Sequence, residues 1–189
     1  MRIFISGGCK NGKSGHAQSI ARDICPVGAP LYYVATMRPV DSEDDARIAR
    51  HRQERAGWGF ITAERDRDIH RLIDTCDPGG YFLIDSATAL LANAMFGPDG
   101  SVNTDASDRL CRDFETLLAE VRHMVVVSDA IYSDAALYDD LTEGYRKGLA
   151  QVDRRLAALC DVVAEAAFGS LLFHKGETLY KQAMEGMRS

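Results

Sequence analysis

Apolar residues along the chain gather in short continuous runs, and stretches with helical spacing separate these runs. Runs without polar alternation are typical of strands that are buried on both faces of a sheet. The sequence therefore predicts a mostly parallel sheet. The predicted strands are Ile3–Ile5, Leu31–Thr36, Gly57–Glu64, Tyr81–Ser86, His123–Asp129, Asp161–Gly169 and Leu171–Gly176.

Most stretches between the strands place apolar residues three or four positions apart, as the buried face of a helix requires. Gly144 is a candidate break in the longest of them, because glycine is unfavourable inside a helix. The predicted helices are Gly15–Ile24, Glu43–Ala56, Asp68–Cys76, Ala87–Phe96, Asp105–Val121, Asp134–Cys160 and Glu177–Ser189, the last being a helix or a frayed tail. This alternation predicts a single α/β domain over residues 1–189, with helices on both faces of the sheet.

Composition narrows the class of protein. The chain has 189 residues, enough for one domain with a full core, and a net charge of -6 that argues against nucleic-acid binding. No apolar run approaches the roughly 18 residues of a membrane span, so we expect no membrane insertion. The five cysteines are odd in number and form no C-x-x-C pair, which favours free thiols and a cytoplasmic location.

The first predicted strand runs directly into a phosphate-binding motif. The residues after it satisfy G-x-x-x-x-G-K-[ST], and a predicted helix follows. Backbone N–H groups of such a loop surround phosphate oxygens, the lysine reaches the β- and γ-phosphates, and the serine hydroxyl binds Mg²⁺. Strand, loop and helix follow in the required order, which favours a nucleotide site over a ligand-free glycine-rich turn. The predicted nucleotide-binding residues are Gly7, Gly8, Cys9, Lys10, Asn11, Gly12, Lys13 and Ser14.

Two further features carry candidate chemistry. Asp85 ends a predicted core strand, where a P-loop protein places its second Mg²⁺-organising group; a helix cap is the alternative. The predicted helix Glu43–Ala56 has hardly any apolar stripe and carries His51 among several arginines. It therefore lies over a ligand or is largely solvated, and spacing alone leaves His51 open as an ordinary surface residue.

In order along the chain, GGCKNGKS, YYVAT and D-x-E-x-x-x-R-I-x-x-H-x-x-x-R, followed by W and T-x-E, resemble the adenosylcobinamide kinase / adenosylcobinamide-phosphate guanylyltransferase family. The likeness continues through LIDSATALLANAMF to YRKGLAQVDRRLA and covers most of the chain. This order of motifs is much more specific than the phosphate loop alone. The second motif falls on Asp41, Glu43, Arg47, Ile48, His51, Arg55, Trp58, Thr62 and Glu64.

The resemblance implies a three-layer P-loop NTPase fold related to RecA and a bifunctional enzyme of cobalamin biosynthesis. Such an enzyme phosphorylates the aminopropanol hydroxyl of adenosylcobinamide with ATP or GTP. It then transfers GMP from GTP through a guanylylated histidine, releasing pyrophosphate and giving adenosylcobinamide-GDP. The implied partners are these nucleotides, the corrinoid substrate and further copies of the chain, because the family assembles as trimers with sites between subunits.

The resemblance also implies roles for individual residues. His51 is the guanylylated nucleophile, and Lys13 binds phosphate in both steps. Ser14 and Asp85 are the implied Mg²⁺ ligands. The residues implied to contact nucleotide beyond the loop are Thr36, Arg47, Arg50, Arg55, Glu64 and Asp85.

Three places depart from the family's usual pattern. Lys10-Asn11 replaces an Arg-Ser pair, Asp129–Asp134 replaces an Asn-Glu pair with a glycine-rich turn, and Asp153-Arg154 replaces Asn-Gln. A kinase that never forms the His51 adduct, and a GTP-binding regulatory protein without turnover, therefore stay open as alternatives. The other histidines are interpreted as structural or exposed: His16, His70, His123 and His174.

Overall fold

A computed structural model describes residues 1–38, 49, 53 and 55–186 of the chain. Seven strands within these residues form one sheet in the order β3-β2-β4-β5-β1-β6-β7. Neighbouring strands pair in parallel except β6 and β7, which form an antiparallel pair. The strands are β1 Arg2–Gly7, β2 Leu31–Ala35, β3 Phe60–Glu64, β4 Tyr81–Asp85, β5 His123–Val127, β6 Val162–Ala167 and β7 Ser170–Lys175.

Helices connect the strands and cover both faces of the sheet. Within the described residues they are α1 Lys13–Asp23, α2 Ala87–Met95, α3 Ala106–Glu120, α4 Asp140–Leu159 and α5 Glu177–Gly186, with a 3-10 helix at Ile69–Asp74. This arrangement confirms the predicted three-layer α/β architecture with a mostly parallel sheet. No helix in the described part of the chain is both long enough and apolar enough to cross a membrane.

Two cores lie on opposite faces of the sheet because successive strand residues point to opposite sides. In β1, Phe4 belongs to the core beneath α2, α3 and α4, whereas Ile3 and Ile5 belong to the core beneath α1. Tyr180 and Met184 of α5 pack against this second core. Burial of the strands on both faces explains why their sequences are continuously apolar.

Some predicted boundaries differ from the structure. The third strand begins at Phe60 rather than Gly57, because Gly57 and Gly59 adopt φ values of 80° and 82°. The predicted helix Asp68–Cys76 is a shorter 3-10 helix, Ile69–Asp74. The predicted helix Glu43–Ala56 falls mostly outside the described residues, as do the last three residues of the chain.

The long helix α4 begins later than predicted and is not broken at Gly144, the candidate break. It begins at Asp140, not Asp134, because the Asp139 carboxylate accepts a hydrogen bond from the Thr142 backbone N–H at 2.9 Å and caps the helix there. Gly144 does not break it. The helix runs through it from Asp140 to Leu159, and a Cβ added to Gly144 would make only an ordinary contact, 3.5 Å from the Met95 side chain of α2.

Candidate active site

The phosphate loop lies at the carboxyl end of β1 and packs against the end of β6. A Cβ added to Gly7 would lie 2.5 Å from the Ala166 carbonyl oxygen, so only glycine fits this approach. The Asn11 side-chain amide donates to the same oxygen at 3.3 Å. Gly12 has a φ of 82°, in the left-handed region. The motif therefore turns as the sequence predicts and leads directly into α1.

The N-terminus of α1 has the features that favour anion binding. The helix starts at Lys13, and its N-cap, Gly12, has no side chain to accept hydrogen bonds from the first-turn N–H groups. These N–H groups and the positive end of the helix dipole favour a phosphate at this point. No acidic residue occupies the first turn, where a carboxylate would compete with the phosphate.

Lys13 lies inside the loop and is 7% exposed. Its ammonium donates to the Gly8 carbonyl oxygen at 2.8 Å and forms an ion pair with the Asp129 carboxylate, Nζ to Oδ1 2.7 Å. Asp129 follows β5, which lies between β1 and β4 in the sheet. Asp129 is not among the site residues predicted from the sequence, although it follows an apolar strand just as Asp85 does.

Asp85 occupies the predicted place at the end of β4. Its Oδ2 accepts a hydrogen bond from the Tyr33 hydroxyl at 3.1 Å. The helix cap considered as its alternative role belongs to the next residue, because the Ser86 hydroxyl accepts a hydrogen bond from the Ala89 N–H at 3.3 Å. The Asp85 carboxylate is therefore available at the same edge of the sheet as the phosphate loop.

These oxygens suit Mg²⁺, the ion that P-loop enzymes use with nucleotides. Mg²⁺ binds through one or two protein oxygens together with substrate phosphates and waters, not through a complete protein cage. Among the described residues, no cluster of three or more histidine, cysteine, aspartate or glutamate side chains could hold a metal alone. The Ser14 hydroxyl and the Asp85 carboxylate are hard oxygen ligands at the carboxyl edge of the sheet, so the residues present fit the ion.

Thr36 is fully buried beneath this edge. Its hydroxyl donates to the Ser86 carbonyl oxygen at 3.0 Å and accepts from the Ser86 N–H at 2.6 Å. The Asn93 amide donates to the Thr36 carbonyl oxygen at 2.8 Å. These bonds join the end of β2 to the loop that follows Asp85. Glu64, also predicted to contact nucleotide, is exposed at the end of the outermost strand β3.

Of the four predicted residues from the arginine-rich helix, Arg47, Arg50 and His51 lie outside the described residues. Arg55 is described and buried, with its guanidinium carbon 3.7 Å from the centre of the Tyr33 ring. Trp58 lies under the guanidinium of Arg22 of α1, at 4.4 Å. These two cation–π contacts connect residues 55–58 to β2 and to the last turn of α1.

The residues between β5 and α4, which we call the post-β5 segment (128–139), are held by side chains of α4. Arg146 is 7% exposed; its Nε donates to the Ile131 carbonyl oxygen at 3.0 Å and its Nη2 to the Asp134 carboxylate at 2.8 Å. Its Nη1 donates to Glu143, and its guanidinium stacks on the Tyr138 ring at 4.5 Å. A single buried arginine therefore organises much of this segment.

Asp153, also on α4, contacts the post-β5 segment as well. It is 3% exposed, and its Oδ2 accepts a hydrogen bond from the Tyr132 hydroxyl at 2.8 Å. Burial raises the pKa of Asp153 to about 6, although hydrogen bonds from Ser128 and Tyr132 oppose the shift. Burial and the neighbouring Asp153 carboxylate also raise the pKa of Tyr132. In the sequence, Asp153 stands out only as a departure from the family pattern.

The other histidines have local partners. The His16 Nε2 lies 3.2 Å from the Gly169 carbonyl oxygen, and the His123 ring stacks on Tyr81. His70 and His174 lie 2.8 and 3.2 Å from the carboxylates of Asp113 and Glu165.

Known proteins resemble this chain over most of its length. The model of a family described as cobinamide kinase / cobinamide phosphate guanyltransferase matches residues 3–172. The bifunctional adenosylcobalamin biosynthesis protein CobU of Escherichia coli K12 is 27% identical over 174 residues, covering 86% of this chain and 93% of that protein. The protein of the same name from Salmonella typhimurium LT2 is 30% identical over 177 residues, with the same two coverages.

Solved structures agree on the fold. The flagellar accessory protein FlaH from Methanocaldococcus jannaschii superimposes with a TM-score of 0.50 at 13% identity, covering 92% of this chain and 77% of that one. A KaiC-like protein from Pyrococcus horikoshii OT3 gives a TM-score of 0.51 at 14% identity, covering 92% and 78%. At these identities the likeness concerns the fold alone, and it confirms the predicted P-loop NTPase architecture.

Proposed function

Since this chain belongs to the cobinamide kinase / cobinamide phosphate guanyltransferase family, we propose that it carries out both reactions of that name in cobalamin biosynthesis. The match over residues 3–172 carries the proposal. The geometry supports it at the nucleotide end, where α1 presents free N–H groups beside the buried Lys13. Substrates are ATP or GTP and adenosylcobinamide, and the assembly is a homotrimer, as the family resemblance implies.

In the kinase reaction, the aminopropanol hydroxyl oxygen of adenosylcobinamide bonds to the γ-phosphorus. The bond from that phosphorus to the β–γ bridging oxygen breaks, and the nucleoside diphosphate leaves. Lys13 and the N–H groups of the loop and α1 neutralise the charge on the phosphate oxygens. Ser14 and Asp85 would hold Mg²⁺, which would supply positive charge to polarise and orient the phosphates.

In the guanylyl transfer, an imidazole nitrogen of His51 bonds to the α-phosphorus of GTP and pyrophosphate leaves. The phosphate oxygen of adenosylcobinamide phosphate then bonds to the same phosphorus and releases His51, giving adenosylcobinamide-GDP. A covalent histidine divides one difficult displacement into two. Arg47, Arg50 and Arg55 supply positive charge for the transferred phosphate in this proposal.

The histidine adduct is the sharpest test. The wild-type protein is incubated with Mg²⁺ and GTP labelled at the α-phosphate, denatured, and analysed by intact mass beside His51→Asn. His174→Asn is the matched control, because His174 lies on β7 in contact with Glu165. We expect an acid-labile GMP adduct on the wild type and the control that is missing from His51→Asn.

Other results of this experiment would support one of the alternative functions. γ-Phosphate transfer to adenosylcobinamide without adduct or pyrophosphate would indicate a kinase alone. GTP binding without either reaction would indicate a regulatory nucleotide-binding protein. An adduct that persists in His51→Asn would exclude His51 as the nucleophile while leaving the guanylyltransferase activity in place.

A further inference from the structure

We propose that Asp129 is the general base of the kinase reaction, accepting the proton of the substrate hydroxyl. This inference rests on the proposed function and adds to it a catalytic residue. Its starting observation is the 2.7 Å ion pair between Asp129 Oδ1 and Lys13 Nζ. Because the lysine of this motif reaches the β- and γ-phosphates, a carboxylate in contact with its ammonium lies next to the phosphoryl group that is transferred.

The backbone holds Asp129 firmly in this position. The Ser128 N–H donates to the Ile5 carbonyl oxygen and the Ala130 N–H to the Gly7 carbonyl oxygen, each at 3.0 Å. The Asp129 N–H donates to the Thr88 hydroxyl at 2.8 Å. The chain around Asp129 is therefore bonded to β1, the phosphate loop and α2, so the carboxylate is presented to the transferred phosphate by three neighbouring elements.

Other carboxylates nearby have different surroundings. Asp85 accepts the Tyr33 hydroxyl and is the proposed Mg²⁺ ligand. Asp153 is 3% exposed, so an incoming hydroxyl has no access to it. The Asp129 side chain is 32% exposed while its Oδ1 contacts Lys13, so this side chain is partly open to solvent. A second substrate can reach it from that open side.

The proton of the substrate hydroxyl moves in two stages during the proposed phosphoryl transfer. As the hydroxyl oxygen bonds to the γ-phosphorus, its proton moves to the Asp129 carboxylate, and the electron pair of the broken bond leaves on the nucleoside diphosphate. The proton later passes to solvent from the exposed side of Asp129. Correctly placed general bases typically contribute about 10²- to 10⁴-fold to a rate. The guanylylation of His51 needs no such base, because a neutral imidazole attacks without losing a hydroxyl proton.

This difference between the two reactions provides the test. Asp129→Asn keeps the size and shape of the side chain but removes its basicity. We measure kinase turnover with adenosylcobinamide, the rate of GMP adduct formation, the GTP dissociation constant and the Mg²⁺ midpoint. We expect kinase turnover to fall about 10²-fold or more. Adduct formation, GTP affinity and the Mg²⁺ midpoint should stay within about threefold of wild type, or GTP should bind more tightly.

Two further variants keep the test decisive. Asp129→Glu restores a carboxylate and should recover part of the kinase turnover if basicity matters. Asp134→Asn alters a carboxylate of the same segment that pairs with Arg146, and it should leave kinase turnover within about threefold of wild type. An equal loss of turnover in Asp134→Asn and Asp129→Asn would attribute the effect to the segment and overturn the assignment.

Failure of this inference is distinguishable from failure of the proposed function. Kinase turnover that survives in Asp129→Asn, or an equal loss of kinase and adduct formation, refutes Asp129 as the base while the wild type still performs both reactions. A loss of turnover that high Mg²⁺ restores would make Asp129 a metal-organising group instead. A wild-type protein that forms GMP adduct or binds GTP but never phosphorylates adenosylcobinamide would refute the proposed kinase function itself.

Discussion

The phosphate loop and the post-β5 segment meet at the Lys13–Asp129 ion pair but are held in place in different ways. The loop takes its shape from glycines and from residues close in sequence, such as Lys13 donating to Gly8. The post-β5 segment is held by Arg146 and Asp153 of α4, whose hydrogen-bond partners Asp134 and Tyr132 lie 12 and 21 positions away in sequence. One ion pair therefore joins a loop that is encoded by a local motif to a segment that is positioned by distant side chains.

The phosphate loop and the post-β5 segment should respond differently to substitution. Outside its own residues the loop contacts Ala166, Ala130 and Asp129, so phosphate binding should tolerate substitutions away from these positions. The post-β5 segment depends on the packing of α4, so substitutions in α4 should change the mobility of that segment selectively. Variants on each side of the Lys13–Asp129 contact can test this division.

The largest effect is expected for Lys13→Ala. It removes the cation that neutralises the transferred phosphates in both reactions, so both rates should fall by about 10³-fold or more. Parallel assays of γ-phosphate transfer and GMP adduct formation measure this loss. Lys181→Ala, on the exposed face of α5, is the matched control. Near wild-type activity in either reaction would contradict a shared phosphate site.

Asp85→Asn tests whether the carboxylate at the end of β4 binds Mg²⁺, a role that differs from the one proposed for Asp129. Loss of a charged ligand should raise the Mg²⁺ midpoint for nucleotide binding by about tenfold or more and slow both reactions by about 10²-fold at low Mg²⁺. Titration of Mg²⁺ with a fluorescent GTP analogue gives the midpoint without relying on turnover. An unchanged midpoint would exclude Asp85 as a Mg²⁺ ligand.

Asp153→Asn tests the buried support beneath the post-β5 segment through its pH dependence. Because the pKa of Asp153 is raised to about 6, the folded protein retains a proton that the unfolded chain loses near pH 4. The wild-type free energy of unfolding therefore falls as pH rises from about 4 to 6, by at most about 3 kcal/mol from this group. Asparagine does not ionise, so the free energy of unfolding of the variant does not fall in this way. Its amide oxygen can still accept a hydrogen bond from the Tyr132 hydroxyl.

We expect Asp153→Asn to be more stable than wild type by about 2 kcal/mol at pH 8 and equally stable near pH 4. Urea unfolding at a series of pH values measures the difference. A stability difference that does not vary with pH would show that the pKa of Asp153 is the same in the folded and unfolded states.

The smallest global effect is expected for Arg146→Met. Its partners, Asp134 and Glu143, are 50% and 31% exposed, so water partly replaces the lost ion pairs and the free energy of unfolding should fall by only about 1 kcal/mol. Hydrogen exchange should nevertheless accelerate selectively across residues 131–138, while the phosphate loop is unchanged. Arg155→Met, which removes an exposed pair with Glu115, is the control. Equal acceleration in both regions would contradict their independence.

Much of this molecule could be predicted from the sequence alone. The parallel sheet followed from continuously apolar runs such as Val125–Val127, because strands covered on both faces have no polar side. The phosphate loop followed from residue types at fixed spacing, and Asp85 from its place at the end of an apolar strand. Each of these signals lies within about ten residues and depends on local backbone geometry.

Tertiary structure alone decided the rest. The pairing of Lys13 with Asp129 depends on β5 lying beside β1, a neighbour relation between strands separated by more than a hundred residues. The roles of Tyr33, Arg146 and Asp153 likewise depend on which side chains meet across helices and strands. Local periodicity and motif spacing determine which elements form and what chemistry they can carry. Which of those groups come into contact is determined by the order of strands in the sheet and the packing of α4, and that information is distributed over the whole chain.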